Sequence, residues 1–470
     1  MLALRTAGVR GASLLPLRPD EELLMCGSDS TKLIRQWKDV VAEAFDHCSS
    51  VTIEPREDSL PDEGAPDLDD LLRQAAEDPV DAPPLGQLLH RARSVVLLVP
   101  DEEEPLHPGT LHTVIALIDE LAPEARIEVL LVPTGTDPCI GPGDHRQTVR
   151  SLFASQTLGR QPARVRRPDP RTFRSVITEQ PLRHPATRRV IPALVDPAFF
   201  DADVIIALHR VRPDVQLGLT GGFASVLVGA SSPRTLAEVL HPELLESTVF
   251  PASPMEHPAH RAFRRIGRAL PPVFAIAECP GDESFAYAAG APSAVLQALA
   301  TDIDSPLHHL SGTHDGLILF VEPHAARDLE TALLPYLHLV RQPTVPLVEQ
   351  GAVVLVPSAE LPATRDEFSA PVTPHGAPAG ARLGREALRD LVTRSARQHP
   401  LHVVHPDAGE LPEGVRAHRS FARAIRSLEL ERTVRKGTEQ LDLLLTRGGG
   451  RMLPTGRSDA PDPRAIQRPV

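Results

Sequence analysis

The chain has 470 residues, which is enough for two or three domains with full hydrophobic cores. Its formal net charge of −13 argues against nucleic acid or an anionic membrane as a partner. No stretch approaches the roughly 20 apolar residues of a membrane-spanning helix. The cysteines are scattered and form no CxxC pair, a usage typical of buried thiols in a reducing compartment. We therefore expect a cytoplasmic protein.

The N-terminal residues 1–80 are predicted to form an extension that packs on the first domain. Residues 30–45 have a helical pattern, and residues 50–53 form a short apolar strand. Residues 54–82 are acidic and contain prolines, which indicates a surface insertion or a helix with loops.

Regular alternation of strands and helices begins after this extension. Continuous apolar runs at 95–99 and 127–132 are typical of buried parallel strands. A helical pattern follows each of them, at 111–121 and at 144–154. This β-α-β-α order predicts a parallel sheet flanked by helices, in a first domain at 81–265.

A second domain of the same class is predicted at 266–456, after a loop at 251–260. Strands and helices again alternate, at 273–277, 293–300, 316–321, 328–340, 351–356, 385–397, 401–404, 420–428 and 441–445. Residues 457–470 are predicted to be a disordered tail. The predicted fold class is therefore α/β, with two domains of mostly parallel sheets flanked by helices. The cleft between the domains is the predicted ligand site.

The most distinctive segment is a glycine-rich loop that follows an apolar strand at 204–208. It contains Gly218, Gly221 and Gly222, and it includes neither Lys nor Arg. Glycines of this kind occur where the backbone approaches a ligand closely or adopts positive φ. A tight strand-to-helix turn without a ligand is the alternative.

Several common catalytic motifs are missing from the sequence. No GxGxxG follows a strand, and GxxxxGK[ST], GxSxG and HExxH do not occur. Polar residues instead lie at the ends of predicted strands, at 101–104, at 135–137, at Asp214 and at 314–315, the last of which opens the strand at 316–321. Open α/β sheets bind ligands at the carboxyl ends of their strands, so these residues are the site candidates.

The order of these polar strand ends matches that of one known family. Residues 101–105 (Asp-Glu-Glu-Glu-Pro) are similar to an Asp-x-x-Arg-Pro motif, and 135–137 (Gly-Thr-Asp) to a Gly-Thr-His motif. Residues 213–224 begin Pro-Asp and contain Gly-Leu-Thr-Gly-Gly-Phe-Ala, similar to Pro-His followed by Gly-Phe-Ser-Gly-Gly-x-Lys. Over roughly residues 80–455 the chain resembles the nickel-dependent lactate racemase family.

The resemblance implies a racemase or epimerase that acts on a hydroxyacid or polyol. Members of the family hold nickel in a modified pyridinium nucleotide tethered to a lysine, with a histidine as a further ligand. Two histidines act as acid and base, a role that suits imidazole near neutral pH, and an arginine binds the substrate carboxylate.

This chain departs from that pattern at each functional position. Asp137 stands in place of one acid–base histidine, and Pro168 aligns loosely with the other. Asp214 occupies the position of the nickel-ligand histidine. Glu104 replaces the arginine, and Ala224 stands at the motif's lysine.

The identity of any cofactor therefore stays open. No lysine lies between Lys38 and Lys436, so the tether of the family's cofactor is missing. One interpretation is a rebuilt carboxylate site for Mg²⁺ or Ca²⁺, which prefer oxygen ligands. The alternative is drift in an inactive site.

The candidate residues fall into three predicted roles. The predicted catalytic residues are Asp101, Glu104 and Asp137, and the predicted metal ligand is Asp214. The predicted cofactor-binding residues are Gly135, Thr136, Gly218, Gly221 and Gly222. The function is predicted to be a divergent isomerase of a small molecule. The alternatives are an inactive relative that binds a small molecule or a partner, and family activity retained through other residues.

Overall fold

The structure is a computed structural model that describes most of the chain. The described residues are 40, 50–54, 68–101, 106–136, 146–156, 164–169, 171–183, 188–240, 253–280, 285–301, 308–310, 313–321, 329, 331–341, 345, 347–357, 385–405, 411–436, 441–447 and 452–454.

Strands and helices alternate along the described chain. The strands are β1 (Ser50–Glu54), β2 (Ser94–Pro100), β3 (Arg126–Val132), β4 (Arg164–Arg166), β5 (Arg174–Ser175), β6 (Leu194–Val195), β7 (Val204–Arg210), β8 (Pro213–Asp214), β9 (Gly218–Leu219), β10 (Val273–Pro280), β11 (Phe285–Gly290), β12 (His308–Leu310), β13 (His314–Val321), β14 (Leu347–Pro357), β15 (Leu401–Val404), β16 (Val415–His418), β17 (Asp442–Arg447) and β18 (Met452–Pro454). The helices are α1 (Leu68–Glu77), α2 (Leu85–Leu89), α3 (Pro108–Leu121), α4 (Arg146–Gln156), α5 (Gly222–Leu227), α6 (Pro233–Val239), α7 (Pro258–Gly267), α8 (Pro292–Thr301), α9 (Leu334–Val340), α10 (Arg385–Gln398) and α11 (Phe421–Lys436). Short 3₁₀ helices lie at Pro197–Phe200, Pro254–Glu256 and Thr331–Leu333. Within these described elements, no helix has the length and apolar character needed to cross a membrane.

The described residues divide into two compact units. The first unit lies within Glu57–His308 and Arg365–Leu391, and the second within Met1–Arg56, His309–Thr364 and Val392–Val470. Each unit contains a six-stranded sheet, and most neighbouring strands in these sheets are parallel. The predicted α/β class with mostly parallel sheets is therefore confirmed.

The sheet of the first unit has the strand order β11-β10-β7-β2-β3-β4. The pairs from β10 to β4 are parallel, and β11 joins the edge antiparallel to β10. Side chains of successive residues point to opposite faces, so each face has its own apolar core. Ile205 packs with the residues of α5 to α7 on one face, and Ile206 packs with those of α1 to α4 on the other.

The sheet of the second unit has the order β1-β17-β13-β14-β15-β16, and its pairs are parallel. The central strands β13 and β14 contain buried apolar runs at 317–321 and 353–356, as expected where both faces of a parallel sheet are buried. Ile425 and Leu428 of α11 belong to the apolar cluster on one face.

The division into units differs from the predicted boundary near residue 265. Strand β10 pairs with β7 from Val273↔Ile205 to Glu278↔Arg210, so the first sheet continues past that point. The predicted N-terminal extension at 1–80 is also divided between the two units. Strand β1 pairs with β17 in the second unit, whereas α1 contributes Leu72 to the core of the first. Such long-range pairings depend on contacts that no local pattern encodes.

The sequence predicts a loop at 251–260, but residues 258–260 form the first turn of α7. In the structure Pro258 occupies the first turn of α7, where its missing N–H needs no partner. The His257 side chain caps the helix by accepting a hydrogen bond from Ala259 N at 3.3 Å. The proline therefore begins a helix at this position.

Candidate functional site

The polar strand ends of the first unit meet at the carboxyl edge of its sheet. Strands β2, β3, β4 and β7 are parallel neighbours, so the residues that follow them lie along one edge. Asp101 follows β2, the Gly135–Thr136 loop follows β3, Arg167 follows β4, and Asp214 comes after β7. This edge is the candidate site.

Asp214 is fully buried and accepts four hydrogen bonds. Oδ1 accepts from Thr136 Oγ1 at 2.6 Å, from Gln216 N at 2.9 Å and from Leu217 N at 3.0 Å. Oδ2 accepts from Thr136 N at 2.7 Å. The carboxylate therefore stabilises the turn at 214–217 and also connects the loop after β3 to the loop after β7. A cation bound to Asp214 would have to displace some of these donors.

Gly135 lies where only a small residue fits. A Cβ at this position would come within 2.8 Å of Thr220 Cγ2 and 3.1 Å of Asp214 Oδ2. The Thr220 hydroxyl donates to Arg210 O at 2.7 Å and accepts from Arg212 N at 3.0 Å. The structure thus brings together the predicted residues Gly135, Thr136 and Asp214. The hydrogen bonds of this group fix the backbone of the loops that follow β3 and β7.

The predicted cofactor-binding glycines after β7 combine positive φ with close packing. The φ angles are 76° at Gly218, 119° at Gly221 and 57° at Gly222, a region that favours glycine. A Cβ on Gly221 would lie 3.0 Å from Leu296 Cδ1 and 3.2 Å from Val211 Cγ2. The protein's own side chains therefore fill the space beside Gly221.

Asp101 pairs with an arginine that sequence reasoning did not identify. Asp101 Oδ2 accepts a hydrogen bond from Arg167 Nε, and the Asp101 side chain is only 3% exposed. Its second oxygen, Oδ1, is buried and has no hydrogen-bond partner in the described part of the chain. Strand β4 has three residues, too short for its pattern to predict the strand end at which Arg167 lies. Asp101 Oδ1 is thus an acceptor at the strand edge that a ligand could use.

A second buried pair, also missed from the sequence, lies beside this edge. Glu278 is fully buried and accepts from Arg210 Nη2 at 2.6 Å and from Thr110 Oγ1 at 3.0 Å. It also accepts from His107 N at 3.2 Å, so it anchors the start of α3 after the loop that follows β2. Burial raises the pKa of the neighbouring Tyr287 to about 12, and the Glu278 charge adds to the shift. Sequence reasoning cannot find this pair, because its members are 68 residues apart.

Two buried histidines lie close to the glycine loop. His209 is at the end of β7, and His260 on α7 contacts Leu219 O through Nε2 at 2.9 Å. Burial lowers the pKa of each imidazole to about 4, because it disfavours the charged form. Both side chains are therefore neutral near neutral pH.

We expect the first unit to lose stability on acidification. The two histidines have lower pKa values folded than unfolded, so their contribution is complete above about pH 6.5 and declines as the pH falls toward 4. Each should reduce the free energy of unfolding by about 2 kcal/mol between pH 7.5 and pH 5. Urea titrations of His209→Gln at several pH values should show a shallower dependence than the wild type. The exposed-site control His90→Gln should keep the wild-type dependence; equal slopes for both variants would contradict the prediction.

Two predicted catalytic residues, Glu104 and Asp137, lie outside the described residues. Their predicted roles stay predictions. Among the described residues, no group of three or more His, Cys, Asp or Glu side chains is arranged to hold a metal ion.

The architecture and this edge define an α/β protein with a lactate racemase-like fold. The lactate racemase apoprotein from Thermoanaerobacterium thermosaccharolyticum matches with a TM-score of 0.60 and 12% identity, over 87% of this chain and 96% of that chain. A crystal structure of a Thermotoga maritima protein matches with a TM-score of 0.49 and 13% identity, over 83% of this chain and 99% of that one. No family model and no curated protein matches the sequence. The similarity concerns the fold.

The residues present do not fit a lysine-tethered nickel nucleotide. Ala224, at the position of the motif's lysine, is on α5 and is fully buried in the core. Lys32, Lys38 and Lys436 are the only lysines of the chain, and all lie outside the first unit's main range, Glu57–His308. Asp214, at the ligand position, already accepts four hydrogen bonds.

Proposed function

We propose that the chain is a lactate racemase-like protein that binds a hydroxylated small molecule without isomerising it. The observation that carries the proposal is the hydrogen bonding of Asp214. Both of its oxygens are engaged by backbone and hydroxyl donors, which suits a residue that holds the site together. A group that ligates a metal or moves a proton needs an oxygen that other donors do not already engage.

The ligand would be held at the Asp101–Arg167 pair. Arg167 neutralises the carboxylate through Oδ2, and Oδ1 can accept a hydrogen bond from a ligand hydroxyl. The Arg167 side chain is 30% exposed, so its guanidinium is accessible to a polar ligand at the same edge. An unsatisfied buried oxygen is costly, and a hydroxyl donor from the ligand would relieve that cost.

The second candidate is an isomerase of a hydroxyacid or polyol, with Asp137, Asp101 and Glu104 as its catalytic residues. The fold similarity to a lactate racemase apoprotein favours it. Its cofactor would have to differ from the family's tethered nucleotide, because the lysine is missing.

Isotope exchange separates the two candidates. The protein is incubated in D₂O with a panel of hydroxyacids and polyols, and deuterium at the carbinol carbon is measured by NMR. The proposal predicts saturable binding of at least one compound without incorporation of deuterium. Incorporation that Asp137→Ala abolishes would establish the isomerase instead.

The binding role of Asp101 has its own test. Asp101→Ala should weaken binding of the compound identified in the panel by about tenfold to a hundredfold, the effect of losing a hydrogen bond to a charged group. Asp169→Ala removes an exposed carboxylate two residues after Arg167 and serves as the matched control. Equal affinities of the two variants, measured by calorimetry, would reject Asp101 as a ligand contact.

A further inference from the structure

The described residues among 169–191, here called the arm, pack against helix α7. Strands β5 and β6 pair antiparallel, and Arg183 forms an isolated bridge with Val190. The Arg265 guanidinium donates to Gln180 O at 3.4 Å. The arm and the helix share one apolar cluster, which includes Val176, Leu182, Ile191, Phe263 and Ile266. The outer faces of the arm and of α7 therefore form one surface.

This surface is strongly basic, although the chain as a whole is acidic. The exposed arginines of the arm are Arg171, Arg174, Arg183, Arg188 and Arg189. Arg261, Arg265 and Arg268, on α7 and immediately after it, are exposed as well. The acidic residues of the arm are Asp169 and Glu179. Within the described part of the chain, Arg174, Arg261 and Arg268 form no ion pair, so they present uncompensated charge.

The arm also has large exposed apolar side chains, which are close to these arginines in the chain. Ile177 is 91% exposed, and Val190, the bridge partner of Arg183, is 54% exposed. Ile177 lies three residues after the exposed Arg174 in the chain, and its burial would require an apolar group on a partner.

We propose that this surface binds an acidic polypeptide segment that carries an apolar residue between its carboxylates. Guanidinium groups bind carboxylates in a bidentate manner, and Ile177 supplies the apolar contact. The negative charge of the rest of the chain disfavours an extended polyanion such as RNA, which would run beyond the basic surface. A short acidic segment can stay within it.

The binding test uses fluorescent polyglutamate peptides, with and without two central leucines. The leucine-containing peptide should bind the full chain more tightly than the all-glutamate peptide, and Ile177→Ser should remove that difference. The triple variant Arg174→Glu, Arg188→Glu, Arg261→Glu should weaken binding by at least about tenfold, because it replaces three attractions with three repulsions.

Two comparisons decide the outcome. The triple variant Arg91→Glu, Arg126→Glu, Arg397→Glu makes the same change in net charge at exposed sites elsewhere, and it should keep the affinity within about twofold. Equal losses in the two triple variants would overturn the proposal, because binding would then depend on net charge alone. Tighter binding of single-stranded RNA or of phosphatidylglycerol vesicles than of the leucine-containing peptide would overturn it as well. Circular dichroism checks that both triple variants are folded.

Discussion

Asp214→Ala should lower the free energy of unfolding by about 3 to 5 kcal/mol, because it leaves several buried donors without an acceptor. The wild-type carboxylate is fully buried and accepts from Thr136 twice, from Gln216 N and from Leu217 N. Alanine removes all four bonds at once and separates the loop after β3 from the loop after β7. Urea unfolding should show a lower midpoint with an unchanged slope.

The control for this variant is Asp78→Ala, which removes an exposed carboxylate just after α1. It should change the free energy of unfolding by no more than about 0.5 kcal/mol. The experiment also tests the predicted metal role of Asp214. An Asp214→Ala protein of wild-type stability that had lost a bound divalent cation would show that Asp214 is a metal ligand and would contradict the proposed function.

Gly290→Ala should lower the free energy of unfolding by about 3 kcal/mol, through strain and lost hydrogen bonds. Gly290 has a φ of 137°, and a Cβ there would lie 2.2 Å from Val80 O and 2.6 Å from Val80 N. Val80 is held by backbone bonds on either side of this glycine, to Ala289 O at 2.8 Å and from Ala291 N at 2.9 Å. The clash is with backbone, so a side-chain rotation cannot relieve it.

Gly86→Ala is the matched control for Gly290. Gly86 lies in α2, and a Cβ there would make an ordinary contact of 3.5 Å with Leu121 Cδ2. Alanine in a helix should raise stability by about 0.5 to 1 kcal/mol. Thermal melts that shift in opposite directions would confirm the difference, whereas parallel shifts would contradict the close approach of Val80 to Gly290.

The glycine loop shows how a correct local prediction can leave a function open. Positive φ at Gly218, Gly221 and Gly222 is a backbone property, and it is one of the two reasons for glycine that the sequence indicates. Whether such a turn surrounds a ligand or packs against protein depends on residues distant in the chain. Leu296 of α8 lies against Gly221, and no pattern near residue 221 indicates that contact.

The sequence by itself determined the α/β class, because continuous apolar runs mark the central strands and most helices have a local period. The strands β2, β3 and β15 lie where these runs predict them. Only the tertiary structure decided which strands are neighbours: β1 pairs with β17, and β11 adds an antiparallel edge. It also decided the environment of each site residue. Arg167, the partner of Asp101, lies 66 residues away in the chain, and Thr136, which donates two of the four hydrogen bonds to Asp214, lies 78 residues away. Burial and charge pairing depend on such distant contacts.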